Sequence, residues 1–332
     1  MSGLIKHRHV ELGSSSVRCV SKGPSLKSHL RQLREIIPPD NPIVYFDYPV
    51  HDNVGDLLIH YATDRFFYDY GYHVARSFSW RPRGRRAQKI PPDATLVFHG
   101  GGNFGDLYPA HEKLRLTILE RFRGHKAVVM PQSVYYESER SRDSSLAAYA
   151  QHPDLTICVR DDISQQVLSA CPEIKHRLMP DMTHQLEDVL PSLADAGSDA
   201  LYFLREDKER TGTSGHLLPE MRAGATTWDW ARLMYVSDER WIERYNALHK
   251  YLYLVSLDVL AFEGWARYRA EVICRALRLF QSASHVYTDR LHGGLFSMLS
   301  GVPVTLVDNA NGKIGNYYRT WLDGTSGVDI RD

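Results

Sequence analysis

The sequence predicts an α/β chain of two Rossmann-like domains in tandem, facing across a cleft, on three observations. Short apolar runs bounded by polar turns alternate with helical patterns, which is the grammar of a mostly parallel sheet. The series starts again near residue 200, after a connector. In both halves the runs end on charged, glycine-rich or hydroxyl-bearing residues, the edge at which open α/β sheets bind ligands.

The elements follow in order. Residues 1 to about 25 read as a polar, Ser-containing arm, and a helical pattern from Ser25 to Ile37 is stopped by Pro38-Pro39. Ile43-Val44-Tyr45-Phe46 reads as a strand buried on both faces, running into a loop from Asp47 to Gly55 and a helix from about Asp56. Thr95 to Phe98 is a strand ending in His99-Gly100-Gly101-Gly102, followed by a helix near His111 to Arg123, with Pro109 disturbing any earlier start. Ala127 to Met130 ends in Pro131-Gln132-Ser133, and Leu155 to Val159 ends in Arg160-Asp161 before a helix from Ser164 to Ala170. Asp181 to Gly197 reads as a connector. Leu201 to Leu204 opens the second series, and residues 238 to 281 are helical and rich in aromatics. His285 to Thr288, a helix from Leu295 to Leu299, a strand from Val302 to Val307 and a helix from Ile314 to Leu322 complete it. The expected division is an arm and helix over 1–40, an acceptor-side α/β domain over 41–190 and a donor-side α/β domain over 191–332, whose last helix packs back on the first domain.

Composition narrows the function. Lys plus Arg and Asp plus Glu number 40 each, so the chain lacks the positive excess that neutralises a duplex backbone. A small anion needs only a few local cations. The four cysteines form no C-x-x-C pair and read as reduced structural thiols. No run approaches the ~18 apolar residues of a membrane span, and the N-terminus has no apolar signal core. The expected location is the cytoplasm, with the inner membrane face as a second reading of the basic segment Arg81 to Lys89, which otherwise reads as a solvated loop.

Four strand-end motifs carry chemistry. Asn53-Val54-Gly55-Asp56 combines a tight turn with helix-capping residues. His99 to Asp106 (HGGGNFGD) allows backbone N–H groups to crowd an anion. Its Gly100, Gly102 and Gly105 also satisfy G-x-G-x-x-G, but it lies on a middle strand and Glu120 is the only acidic residue near the ribose position, which disfavours a dinucleotide site. Arg205 heads a run of five charges; it suits a carboxylate or phosphate, while such a run reads more often as a solvated loop. Thr288 to Gly294 (TDRLHGG) places an arginine able to fork onto a phosphate beside a histidine able to move a proton, at a helix start. Its plainer reading is a packed histidine and a buried ion pair. Lys313, in the glycine-containing loop after the next strand, is a second candidate cation. The aromatics between Trp228 and Tyr268 read as core first and as an acceptor-binding or membrane-facing face second. No H-E-x-x-H, D-x-D or Cys/His cluster points to a metal.

Taken in order, N-x-G-D at Asn53–Asp56, GGGNFGD at Gly100–Asp106, P-Q-S at Pro131–Ser133, V-R-D at Val159–Asp161 and R-L-H-G at Arg290–Gly293 resemble the polysaccharide pyruvyl transferase family from about Tyr45 to Tyr318. The resemblance implies a two-lobed fold similar to the glycosyltransferase B architecture. It implies phosphoenolpyruvate as donor, no further cofactor, and a sugar of a bacterial, lipid-linked or growing polysaccharide as acceptor. It places Arg290, Leu291, His292 and Gly293 at the donor site, with Arg205 and Lys313 similar to further donor-binding residues. Asn53, Gly55, Asp56, Gly101, Gly102, Asn103, Asp106, Gln132, Ser133 and Arg160 are the expected cleft residues.

The chemistry implied is proton delivery to the methylene of the enol, attack of a sugar hydroxyl, and displacement of phosphate by a second hydroxyl. His292, with Arg290, is the expected catalytic group, and Asp106, Asp52 or His99 are alternative bases for the acceptor. A nucleotide-sugar glycosyltransferase of the same two-lobed fold is the competing reading, and a non-catalytic assembly scaffold is a third. Oligomeric state is left open.

Overall fold

The computed structural model describes residues 25–79, 90–190, 197, 199–206, 221, 225–254, 258–308 and 312–331. The arm before residue 25, the basic segment 81–89, residues 207–209 and part of the loop before Gly312 lie outside them.

Two parallel sheets form the frame. The first contains β1 (Ile43–Tyr48), β2 (Val74–Ser79), β3 (Thr95–Phe98), β4 (Gly101–Gly105), β5 (Ala127–Tyr135), β6 (Leu155–Val159) and β7 (Lys175–Leu178), in the order β2-β1-β3-β5-β6-β7, with β4 pairing β5. The second contains β8 (Asp199–Phe203), β9 (Thr227–Trp228), β10 (Ala283–Thr288), β11 (Val304–Val307) and β12 (Val328–Arg331), in the order β9-β8-β10-β11-β12. Leaving β4 aside, each order reverses direction once: between β1 and β3 in the first sheet, and between β8 and β10 in the second. A crevice opens at such a switch point, outside the carboxyl ends of the strands.

Burial explains the apolar runs. Alternate residues of a strand face opposite sides, so β1 sends Ile43 and Tyr45 into one core and Val44 and Phe46 into another. β5 divides the same way, Val128 and Met130 against Ala127 and Val129. At Asp47 the backbone takes φ 68°, and the alternation breaks so that Tyr48 rejoins the side of Tyr45.

The helices are α1 (Leu26–Leu30), α2 (Leu33–Ile36), α3 (Val54–Asp69), α4 (Pro109–Arg121), α5 (Glu139–Ala150), α6 (Asp162–Ser169), α7 (Trp230–Leu233), α8 (Val236–Leu254), α9 (Asp258–Gln281), α10 (Leu291–Leu299) and α11 (Lys313–Tyr317). Among the described residues no helix is long and apolar enough to cross a membrane.

Several expectations are corrected. The pattern from Ser25 to Ile37 is two short helices, the first capped from a distance: the Glu187 carboxylate accepts from Leu26 N and Lys27 N. Pro109 opens α4 rather than disturbing it, because a first-turn N–H has no intrahelical partner to lose. The connector after Asp181 contains a buried 3-10 helix, Met182–Leu186. The helix after β10 begins at Leu291, four residues earlier than expected, so Gly293 and Gly294 lie inside it. They are packing residues: a Cβ on Gly293 would fall 2.7 Å from Thr288 Oγ1, and one on Gly294 would overlap Leu306. The last helix is α11 followed by a π turn, Tyr318–Leu322.

The two halves pack on each other. Arg269 of α9 pairs with Asp64 of α3 at 2.7 Å. Trp321 Nε1 donates to Arg160 O at 2.9 Å. The aromatic segment is largely core, with Trp230, Tyr245, Trp265 and Tyr268 buried and Tyr235 exposed.

Candidate functional site

Residues from the strand ends of both sheets line one cavity of about 330 Å³. The first sheet supplies Asp47, Pro49 and His51 after β1, Asn53 and Asp56 at the start of α3, His99, Gly102 and Asn103 after β3, Tyr108 and His111 at the start of α4, and Arg160 after β6. The second supplies Arg205 after β8, Trp230 of α7, Arg290, Leu291 and His292 after β10, and Lys313 and Ile314 of α11. Both switch points therefore open on the same space.

The cationic wall is preorganised by buried carboxylates. Arg290 donates through Nε to Asp229 Oδ1 at 2.5 Å and through Nη2 to Oδ2 at 2.7 Å. Asp229 also accepts from Trp230 N and Glu206 N. The fork of Arg290 is thus held by Asp229 while the residue still lines the cavity, so the ion-pair and ligand-facing readings are both realised in one side chain. Arg160 donates through Nη1 to Asp181 Oδ2 at 2.5 Å and through Nε to Ser133 Oγ at 3.0 Å. His292 Nε2 lies 3.3 Å from Asp181 Oδ2 and 3.4 Å from Arg160 Nη1. Burial works to raise the Asp181 carboxyl, but the charge and hydrogen bond of His292, then Arg160 and the Thr183 N–H, hold it well below the ordinary carboxylate range.

The first sheet's strand ends also bring histidines to the cavity. His111 Nδ1 lies 2.8 Å from Asp47 Oδ2. His51 Nε2 lies 3.5 Å from Asp56 Oδ2. His99 Nδ1 lies 2.6 Å from the Tyr45 hydroxyl, and burial pushes this imidazole down to about 4, so it is neutral at neutral pH.

Of the expected residues, Asn53, Asp56, Gly102, Asn103, Arg160, Arg205, Arg290, Leu291, His292 and Lys313 meet at the cavity. The others do not line it. Gly55 packs on His292, where a Cβ would fall 2.9 Å from Nδ1. Gln132 Nε2 donates to His99 O and Asn103 Oδ1. Ser133 bridges Arg160 and Asp161. Gly101, Gly102 and Gly105 belong to β4; Gly102 lines the cavity, while a Cβ on Gly105 would overlap Tyr135 O, so that position serves strand packing. Gly293 is sealed inside α10 against β10. Asp106 accepts from Glu137 N through both oxygens, and neither it nor the exposed Asp52 lines the cavity, whereas His99 does.

Asp47, His51, His111, Asp181 and Asp229 were not foreseen as site residues, and Trp230 only as part of the aromatic segment's second reading. A strand-end position could have flagged Asp47. The pairings of Asp181 and Asp229 join residues far apart in sequence and leave no local trace.

The sequence matches the family described as polysaccharide pyruvyl transferase over residues 53–311. It is similar to the Bacillus subtilis (strain 168) protein named "Putative pyruvyl transferase EpsO", 34% identical over 90% of this chain and 91% of the relative. It is also similar to "Pyruvyl transferase 1" of Schizosaccharomyces pombe, 30% identical over 87% of this chain and 72% of the relative. A crystal structure of a functionally uncharacterized Klebsiella pneumoniae protein shares the fold, with a TM-score of 0.60 and 18% identity over 92% of this chain and 98% of that one.

Proposed function

The chain belongs to the polysaccharide pyruvyl transferase family, a family of transferase enzymes, and on that premise we propose that it moves the pyruvyl group of phosphoenolpyruvate onto a sugar of a polysaccharide or its lipid-linked precursor, closing a cyclic ketal. The observation that carries this reading is the meeting of Arg160, Arg205, Arg290, His292 and Lys313 in one cavity. Phosphoenolpyruvate bears about three negative charges at neutral pH, and guanidinium groups bind phosphate and carboxylate in a fixed geometry. Because Asp181 and Asp229 already orient Arg160 and Arg290, little reorganisation accompanies charge movement in the donor.

His292 delivers a proton to the methylene carbon. The positive charge that develops at C2 is met by a sugar hydroxyl, and a second hydroxyl displaces phosphate. The hydroxyl protons pass to the first sheet's histidines, among which His111, held by Asp47, is the best-supplied acceptor. His99, kept neutral by burial, serves as a hydrogen-bonding group rather than a base. The two switch points facing one cavity support a glycosyltransferase-B-like arrangement, with the donor on the second sheet's side and the acceptor on the first's.

The test is incubation with phosphoenolpyruvate and candidate oligosaccharides. Release of phosphate together with a product heavier by one pyruvate less water is expected. Consumption of a nucleotide sugar in its place would transfer the assignment to a glycosyltransferase.

A further inference from the structure

Asp181 sits in the crossover between the two sheets, fully buried and one layer behind the cavity wall. Its Oδ1 accepts from Thr183 N at 2.9 Å, and its own N–H donates to the Tyr317 hydroxyl at 2.9 Å. Its Oδ2 accepts from Arg160 of the first half and faces His292 of the second.

The Nε2 atom of His292 thus lies between a group that only accepts and a group that only donates, at 3.3 and 3.4 Å. One of them must prevail. The Arg160 guanidinium is already matched, by Asp181 at 2.5 Å and by Ser133 at 3.0 Å. A bare Nε2 would direct its lone pair at a buried carboxylate; a protonated one gives that carboxylate a second donor. The other nitrogen, Nδ1, lies on the side of the first turn of α3, close to Gly55, and the residue lines the cavity. The charged groups that meet this ring are Arg160 at the end of β6 and Asp181, with Tyr317 behind it, and Asp56, His51, Arg290 and Lys313 line the same cavity.

We propose that Asp181 is a positioning residue: it keeps a proton on Nε2 of His292, so that Nδ1 is the nitrogen presented to substrate, and the same oxygen fixes Arg160 beside it. The consequence for the reaction rests on the pyruvyl-transfer reading; the placement of the proton does not. In that reaction the doubly protonated ring gives its Nδ1 proton to the methylene carbon. The N–H bond breaks, the enol π pair forms the new C–H bond, and the positive charge appears at C2. The neutral ring is left with Nε2–H against Asp181, ready to be reloaded at Nδ1.

Two measurements test this. In the full chain with ¹⁵N-labelled histidine, and His292→Asn to assign the signal, nitrogen–proton correlation spectra at neutral to mildly alkaline pH are expected to show the neutral ring protonated at Nε2. A ring protonated at Nδ1 overturns the proposal without any substituted protein having to fold. In the second, Asp181→Asn is expected to lower kcat about 10²-fold, the scale of a general acid–base contribution, and, because the same oxygen holds Arg160, to raise KM for phosphoenolpyruvate by a smaller factor. A folded Asp181→Asn protein of native kcat overturns it. Failure of the native protein to consume phosphoenolpyruvate would remove the pyruvyl-transfer reading, while the spectra would still decide the placement of the proton.

Discussion

Alanine at Gly55 probes how closely the first turn of α3 is fitted to His292 across the interface between the two halves. The added Cβ would stand 2.9 Å from both Cβ and Nδ1 of His292 and 3.0 Å from Cγ. Carbon atoms prefer about 3.5–4.0 Å, so the ring must yield by about 0.5–1 Å. Two opposing terms set stability. Alanine gains up to about 1 kcal/mol over glycine in a helix, while overpacking costs about 1–3 kcal/mol. The expected balance is a loss of about 1 kcal/mol, or ~2–4 °C in Tm. The rate suffers far more, because a displacement near 1 Å in a reacting group costs about 10²-fold. Phosphate release at saturating donor and acceptor reads the rate, and calorimetry reads Tm. Gly124→Ala, where no atom lies within 4 Å of the added Cβ, is the control and leaves both unchanged. A Gly55→Ala protein with native turnover would refute the interlobe packing argument.

Three further outcomes are expected. His99 takes up its proton near 4 in the folded chain against an ordinary 6.5, so the unfolded chain protonates first and stability falls as pH drops from about 6.5 to about 4. That gap is worth about 3 kcal/mol, and urea unfolding of His99→Gln should show a pH dependence weaker by that amount; an unchanged dependence contradicts it. Asp229→Asn leaves the Arg290 guanidinium buried without its counter-charge, and a loss of about 3–5 kcal/mol is expected in denaturant unfolding, whereas a loss below about 1 kcal/mol would show that the pair is not needed. Burial pushes the Cys158 thiol up to about 12, so an alkylating reagent at pH 8 should leave it unlabelled in the native protein by peptide mass mapping, and rapid labelling would contradict its placement in the core.

The strands that were legible in the sequence are those buried on both faces. Ile43 to Phe46 and Ala127 to Met130 read as continuous apolar runs because each of their faces meets a core. The strand β7, Lys175–Leu178, sits at a sheet edge with alternating exposed and half-buried residues, so no apolar run announces it. Strand ends pointed to Arg160, Arg205 and Arg290 because ligands gather at that edge, and family resemblance sharpened the choice to Arg290-Leu291-His292. The partners of those residues were not legible. Asp181 meets His292 only after the two halves of the chain have docked, Asp229 meets Arg290 only once the second half has folded, and a lone aspartate in a loop carries no mark of that. The glycines were ambiguous for a physical reason: a residue without Cβ suits an anion loop and a crowded backbone contact equally, and Gly105 and Gly294 make such contacts while Gly102 lines the cavity.

A crystal structure of the protein soaked with phosphoenolpyruvate bears most directly on the cavity as a donor site. The phosphate and carboxylate should lie among Arg160, Arg205, Arg290 and Lys313, with the methylene carbon turned towards His292. Donor density outside the interlobe space, or an ordered nucleotide base displacing it from that space in competition, would contradict the account.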